Sequence, residues 1–363
     1  MDHIVNIFKA ARCGDEDYFK HCISCVPDAF IHHNKSGDTV LHLCARHGHL
    51  TLLHLCLERG GNVEITNFEG KRPLHDCAQA GHVNVLKCLL KTDIDVNCLK
   101  RGDWTPLMLA CTKSNAEIVQ LLLDAGANSA LKNKDGWNSF HIASREGHLA
   151  ILKTLLEHDG KLWDTVSNNG RTALHTAALH GHSDVVEFML STSNYAKDMK
   201  DCCGTTPLMD AIQAGHVDIA RTLITSKQAS VFTCDNLFYA PIHMAAQAGK
   251  ISSVTYLVSE LGVDINQATC STLYTPLHVA AKQGQVDMIQ HLLSLEADID
   301  LQDSSGRTAL HFASSGQHAE CVKILLRFGA NKDCVDKSGK TALQLASRAD
   351  VHETFQDASS TKD

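Results

Sequence analysis

Aromatic residues are scarce in this 363-residue chain, at 5%, and proline occurs only 6 times. No stretch of about 18 uncharged apolar residues occurs, so no membrane span is expected. The first 30 residues lack a basic flank followed by an apolar block, so no secretory leader is expected. Positive charge is in deficit: 33 Lys and Arg face 41 Asp and Glu, a formal charge of −8. That balance argues against direct nucleic-acid binding. The common catalytic signatures are missing as well. There is no phosphate-cradling Walker loop, no Gly-x-Ser-x-Gly elbow and no His-Glu-x-x-His zinc motif. No enzyme and no cofactor is expected.

Cysteine and histidine are abundant instead, at 15 and 23. An odd cysteine count without a secretory context favours free thiols in a reducing compartment, hence the cytoplasm and nucleus. The 44% apolar content is too high for a disordered chain. Length alone would suggest two or three domains, but an internal repeat overrides that prior.

The repeat begins as Thr39-Val40-Leu41-His42, Arg72-Pro73-Leu74-His75 and Thr105-Pro106-Leu107-Met108. It continues through Asn138-Ser139-Phe140-His141, Thr172-Ala173-Leu174-His175 and Thr206-Pro207-Leu208-Met209. Ala240-Pro241-Ile242-His243, Thr275-Pro276-Leu277-His278, Thr308-Ala309-Leu310-His311 and Thr341-Ala342-Leu343-Gln344 complete the series. Of the nine intervals between the third residues, five are 33, three are 34 and one is 35. Thr-Pro-Leu-His at this period resembles the ankyrin-repeat family over nearly the whole chain.

Each residue type has a physical role. Thr can cap a helix N-terminus, and Pro fits its first turn, where a missing N–H costs nothing. Leu and small Ala pairs such as Ala177-Ala178 supply an apolar face. Gly-His pairs such as Gly48-His49 and Gly81-His82 end that helix. A second, Leu-rich helix follows, as in Val119–Leu123, and Asp135-Gly136 or Asn169-Gly170 marks a tight turn. The expected fold is an all-α ankyrin solenoid of about eleven helix-turn-helix units with β-hairpin-like turn tips, and a monomer. Residues 1–32 read as a degenerate N-terminal cap, 33–357 as the repeats with a degenerate last one, and 358–363 as a disordered tail.

The repeat absorbs much of the apparent chemistry. Seven histidines lie in the tetrapeptide and five follow the helix-ending glycine, where they brace backbone groups. Cys22-x-x-Cys25 near His21, His32 and His33 is half of a zinc pattern, but the pair fits one face of a capping-unit helix; no metal is expected. Cys202-Cys203 reads as a spare exposed thiol pair at a turn tip, open to oxidation.

What the repeat does not absorb points to binding. The family resemblance implies a stack whose turn tips and first helices line a hollow face. Trp104 and Trp137 hold the same slot there in adjacent units, just before the tetrapeptide. Lys100, Arg101, Lys113, Lys132, Lys134 and Arg145 surround them. Trp and Arg dominate interface energetics, so a protein-docking patch is expected with Arg101, Trp104, Lys113, Trp137 and Arg145 as anchors. Phe238, Tyr239 and Tyr274 form a second candidate patch.

A closer resemblance is carried by Asn97–Met108, Leu131–Gly147 and Leu208–Gln213. These segments resemble ankyrin proteins that partner alanyl-tRNA synthetase. That resemblance implies support of translational quality control, with lysines accepting misactivated serine. Of three implied acceptor positions, Lys134 matches, while the other two hold Arg101 and Asp164; Lys100, Lys132 and Lys161 lie nearby.

Overall fold

A computed structural model describes residues 2–25, 30–196 and 198–360, with side chains described from residue 6 to residue 357. Among them the chain forms eleven helix pairs and no strand. The chain divides into two compact units, Met1–Thr176 and Ala177–Asp363, the division falling within the helix Ala173–His180.

In the first unit the pairs run from Asp2–Cys13 with Glu16–Cys25 to Ser139–Glu146 with Leu149–His158. In the second they run from Ser183–Thr192 to the closing pair Ala342–Leu345 and Ala349–Ser360. That last helix carries the backbone over 358–360, which the sequence had assigned to a tail, whereas 361–363 lie outside the described residues. The β-hairpin-like tips reduce to three isolated bridges, Lys100–Trp104, Val166–Thr172 and Val335–Thr341, among the described residues.

The core is the tetrapeptide's third position and the Leu face of the second helix. Leu41, Leu74, Leu107, Phe140, Leu208, Ile242, Leu277 and Leu310 are buried. Leu343, in the last repeat described, is 37% exposed.

Two side-chain ladders tie neighbouring repeats. In the first, the tetrapeptide histidine turns one ring nitrogen inward and one outward. Nδ1 accepts the N–H of its own cap residue, at 3.1 Å for both Thr39 and Arg72 and 3.0 Å for Thr275. Nε2 then donates to a carbonyl of the next repeat: His42 to Lys71 at 2.8 Å, His75 to Trp104 at 3.2 Å, His243 to Tyr274 at 2.9 Å. Accepting from an amide at Nδ1 leaves the proton on Nε2, so the neutral ring fits both partners. In the second ladder, the histidine after the glycine reaches back. His49 Nε2 donates to Arg12 O at 3.0 Å, His82 to Arg46 O at 3.1 Å and His318 to Lys282 O at 3.2 Å. The ring lies against the glycine: a Cβ on Gly48 would come 2.6 Å from His82 Nδ1, besides the strain of its φ of +79°. Where Asn115 replaces the histidine, its Nδ2 donates instead to the carbonyl of Gly81 itself, at 3.3 Å.

The third fastening is ionic. Arg46 spans two carboxylates that are each 2% exposed, donating to Asp38 at 2.9 and 3.1 Å and to Asp76 at 3.0 and 3.3 Å. Burial by itself would raise the Asp38 pKa, but bonds from Arg46 and Asn67 outweigh it and hold the carboxyl down to about 2. Arg46→Met leaves buried Asp38 without a cation and buried Asp76 with only Lys71 Nζ at 3.9 Å, so we expect a loss of about 3–5 kcal/mol. A lowered urea midpoint checks this, and adding Asp76→Asn should restore part of it.

The imidazole ladder makes stability depend on pH. Burial lowers the pKa of His75 and of His141 to about 4. The unfolded side chains titrate near 6.5. Below that value the unfolded chain takes up protons that the folded chain refuses. Stability from these groups is therefore full above about pH 6.5 and is lost as pH falls toward about 4, at about 1.4 kcal/mol per pH unit for each histidine. Gln344 shows a substitute that cannot titrate, its Oε1 accepting Thr341 N–H at 2.9 Å. His75→Gln should keep the cap and flatten the slope of unfolding free energy against pH by about one histidine's share; an unchanged slope would contradict the ladder's role.

Candidate functional site

The turn tips are built by one recurring device. An Asn or Asp side chain accepts the N–H groups two and four residues on, an Asx loop added to the backbone bond from its own N–H to the carbonyl four residues on. Asn67 Oδ1 holds Glu69 N and Lys71 N, both at 2.9 Å, and Asp235 Oδ1 holds Leu237 N and Tyr239 N at 2.9 and 2.8 Å. Asn133 does the same for Asp135 N at 3.0 Å and Trp137 N at 2.9 Å. The slot before the tetrapeptide is thus fixed in direction whatever side chain fills it.

Trp104 reaches that slot differently. Lys100 stands where the Asx residue should be, so this tip keeps the common backbone bond, Lys100 N to Trp104 O at 3.0 Å, without an Asx side-chain acceptor. Asp103 takes a left-handed φ of +61° beside Gly102. Neighbouring tips are then joined by backbone: Lys134 N donates to Gly102 O and Asn168 N to Asp135 O, each at 3.1 Å, and Asn168 Nδ2 donates to Lys134 O at 2.8 Å. Gly136 is required here, because a Cβ would lie 2.4 Å from Asn168 N.

These constraints place Trp104 and Trp137, both half-buried, on one recess of about 370 Å³ within the first unit. Lys134, Arg145, Asn133, Asp135, Asn168 and Asn169 complete its lining. The guanidinium of Arg145 stands 5.5 Å from the Trp137 ring centroid, and Lys100 Nζ stands 5.6 Å from that of Trp104. Each indole therefore has a cation over it and an edge open to solvent. Arg145 also donates to Glu146 Oε1 at 2.8 and 2.5 Å, which aims its planar group.

The other expected site residues lie outside the recess lining. Arg101 is exposed and donates to Phe68 O at 3.3 Å. Lys113 is exposed in the turn after the helix Pro106–Ala110. Lys132 is exposed and donates to Val166 O at 2.7 Å, and Lys161 is exposed just before the short 3₁₀ turn Leu162–Asp164. Lys100 is half-buried, and burial followed by the Lys71 charge lowers its pKa. Asn133 and Asn168 were not singled out from the sequence, and Asp135 and Asn169 only as turn residues; the Asx position five residues before the tetrapeptide is the signal that finds Asn133.

The second candidate patch lies in the second unit. Phe238 is 47% exposed at a φ of +65°, Tyr239 stacks on His243 at 5.7 Å, and Tyr274 meets Phe312 edge-on at 5.2 Å. Among the described residues no three His, Cys, Asp or Glu side chains converge as a metal site would require, and Cys22 is buried while Cys25 is exposed. No described helix is long and apolar enough to cross a membrane.

No curated protein matches the chain in sequence. Among solved structures it is similar to the ankyrin repeat domain of Bcl-3, described as a unique member of the IkappaB protein family. The likeness is 26% in sequence with a TM-score of 0.49, covering 61% of this chain and 99% of that one. The family model for ankyrin repeats, in three copies, matches residues 7–100, 93–166, 160–235, 232–303 and 277–356. With that continuous coverage and the helix pairs described above, the chain belongs to the ankyrin-repeat family.

Proposed function

We propose that this ankyrin scaffold grips a protein partner through the Trp104–Trp137 recess, and that the partner is alanyl-tRNA synthetase. The observation that carries the docking reading is the convergence of two half-buried tryptophans, Arg145 and Lys134 on one recess. Half-exposed indoles under cations are suited to being covered by a second surface, where each desolvated anchor contributes about 2 kcal/mol or more. The identity of the partner rests on the resemblance of Asn97–Met108 and Leu131–Gly147 to ankyrin partners of that synthetase.

In this reading Lys134 accepts serine that the synthetase has wrongly activated. A neutral lysine amine attacks the carbonyl carbon of the aminoacyl-adenylate, an amide bond forms, the acyl–phosphate bond breaks and AMP leaves. The nitrogen loses a proton to solvent. An exposed lysine is mostly protonated, so the docked partner must desolvate it. The amide is stable, so the scaffold is consumed and does not turn over. Arg101 and Asp164 at the other two implied acceptor positions favour a second reading, a general adaptor that uses the same recess for an unrelated protein.

Two measurements separate these. The double variant Trp104→Ala, Trp137→Ala should weaken binding to the synthetase by about 100-fold or more with an unchanged helical spectrum; undiminished binding removes the recess as the docking site. Intact-mass measurement after incubation with the synthetase, ATP and serine should show added seryl groups, lost in Lys134→Arg. Binding to the synthetase without any seryl addition keeps the docking reading and ends the acceptor one, whereas no binding to the synthetase leaves the adaptor for an unrelated protein.

A further inference from the structure

The fifteen cysteines divide by environment. Burial pushes the thiols of Cys98 and Cys111 up to about 12, which keeps them protonated and unreactive. Cys202 and Cys203 are different. They are consecutive, both exposed, and their sulfurs lie 3.9 Å apart.

The tip that carries them is held from two sides. Asp201 Oδ1 accepts Cys203 N and Thr205 N, both at 2.9 Å. The next tip then holds both cysteine carbonyls: Asn236 Nδ2 donates to Cys202 O and Asn236 N to Cys203 O, each at 2.9 Å. The peptide linking the two thiols carries the Cys202 carbonyl held by Asn236 Nδ2, and the adjoining peptide carries the Cys203 carbonyl held by Asn236 N.

We propose that Cys202 and Cys203 form a reversible oxidation site, closing to a disulfide under a peroxide and thereby loosening the tip from Asn236. One thiolate sulfur attacks a peroxide oxygen, the O–O bond breaks, and hydroxide leaves to be protonated to water. The sulfenic acid so formed is attacked by the second thiolate. An S–S bond forms, the S–O bond breaks, and a second water results. Two thiols and one hydrogen peroxide give one disulfide and two waters, with two electrons passing from the sulfurs to the O–O bond.

The geometry also makes the product reversible. A disulfide needs about 2.05 Å between sulfurs and ordinarily 4.4–6.8 Å between Cα atoms. Consecutive Cα atoms are about 3.8 Å apart. The closed ring is strained and more reducible than a structural disulfide. Closure must also rotate the shared peptide, which draws the Cys202 carbonyl away from Asn236 Nδ2 and, through the shifted Cys203 backbone, pulls the adjoining Cys203 carbonyl from Asn236 N.

The test uses the full chain. After hydrogen peroxide, remaining thiols are blocked with N-ethylmaleimide and the protein is cut with trypsin. The fragment Asp201–Arg221 contains these two cysteines and no other. It should appear unblocked and lighter by two hydrogen atoms, and return to the doubly blocked form if dithiothreitol is added first. Cys203→Ser should abolish that form and leave Cys202 as a sulfenic acid that dimedone traps. A doubly blocked fragment after peroxide, at a dose that oxidises the exposed Cys13, overturns the site. So does separate oxygenation of the two sulfurs. Hydrogen exchange at the Asn236 amide should quicken by about tenfold or more on oxidation. A disulfide that forms without this change would overturn the loosening.

Discussion

A neutral imidazole buried between one repeat and the next is the constraint on which this molecule depends. Each helix pair is too small to bury its own apolar face, so every pair needs a neighbour at a fixed register. The tetrapeptide histidine supplies that register. Its Nδ1 closes the cap of its own helix, and its Nε2 marks where the next repeat must place a carbonyl. The ring is buried, so a lost partner costs the full desolvation of a polar group. The second ladder, from His49 and His82 back to the preceding repeat, fixes the same pair from the opposite side. His148 marks its limit: Nε2 there is buried and has no hydrogen-bond partner among the described residues. The repeat before it has Lys113-Ser114-Asn115 in place of the usual glycine and histidine.

This division of labour frees the tips. Core positions and ladder histidines do the holding, and the slot before the tetrapeptide is fixed by an Asx loop that is indifferent to the side chain there. The slot holds Asp38, Lys71, Trp137, Thr205, Tyr239 and Arg307 without change to the loop. Chemistry can therefore vary along the tips at little cost to stability. The two tryptophans in adjacent slots are such a variation, and the thiol pair at Asp201–Gly204 is another.

Much of the fold was legible as sequence because the repeat's signals are local. A cap, a proline, an Ala pair and a left-handed glycine act within one turn of helix, and their period alone reveals how the pairs are ordered. The site was legible only in part. Trp104 and Trp137 stood out as large aromatics in a polar slot, and Arg145 as a cation in the same repeat. Arg101 and Lys113 were grouped with them by chain distance, yet the Arg101 guanidinium turns to Phe68 O and neither residue lines the recess.

The sequence by itself determined the ankyrin repeat, its register, and the polar roles of its histidines, since all of these are set by spacing and by which backbone groups need partners. Only the tertiary structure decided which rim side chains meet. Lys134 joins the recess because its N–H is bound to Gly102 O, and Asn168 joins because it bridges to Lys134 and Asp135, contacts some 30 residues apart in sequence. The physical reason is that tip-to-tip hydrogen bonds use backbone groups, which every residue carries alike. No pattern of side chains could announce which tips they would draw together.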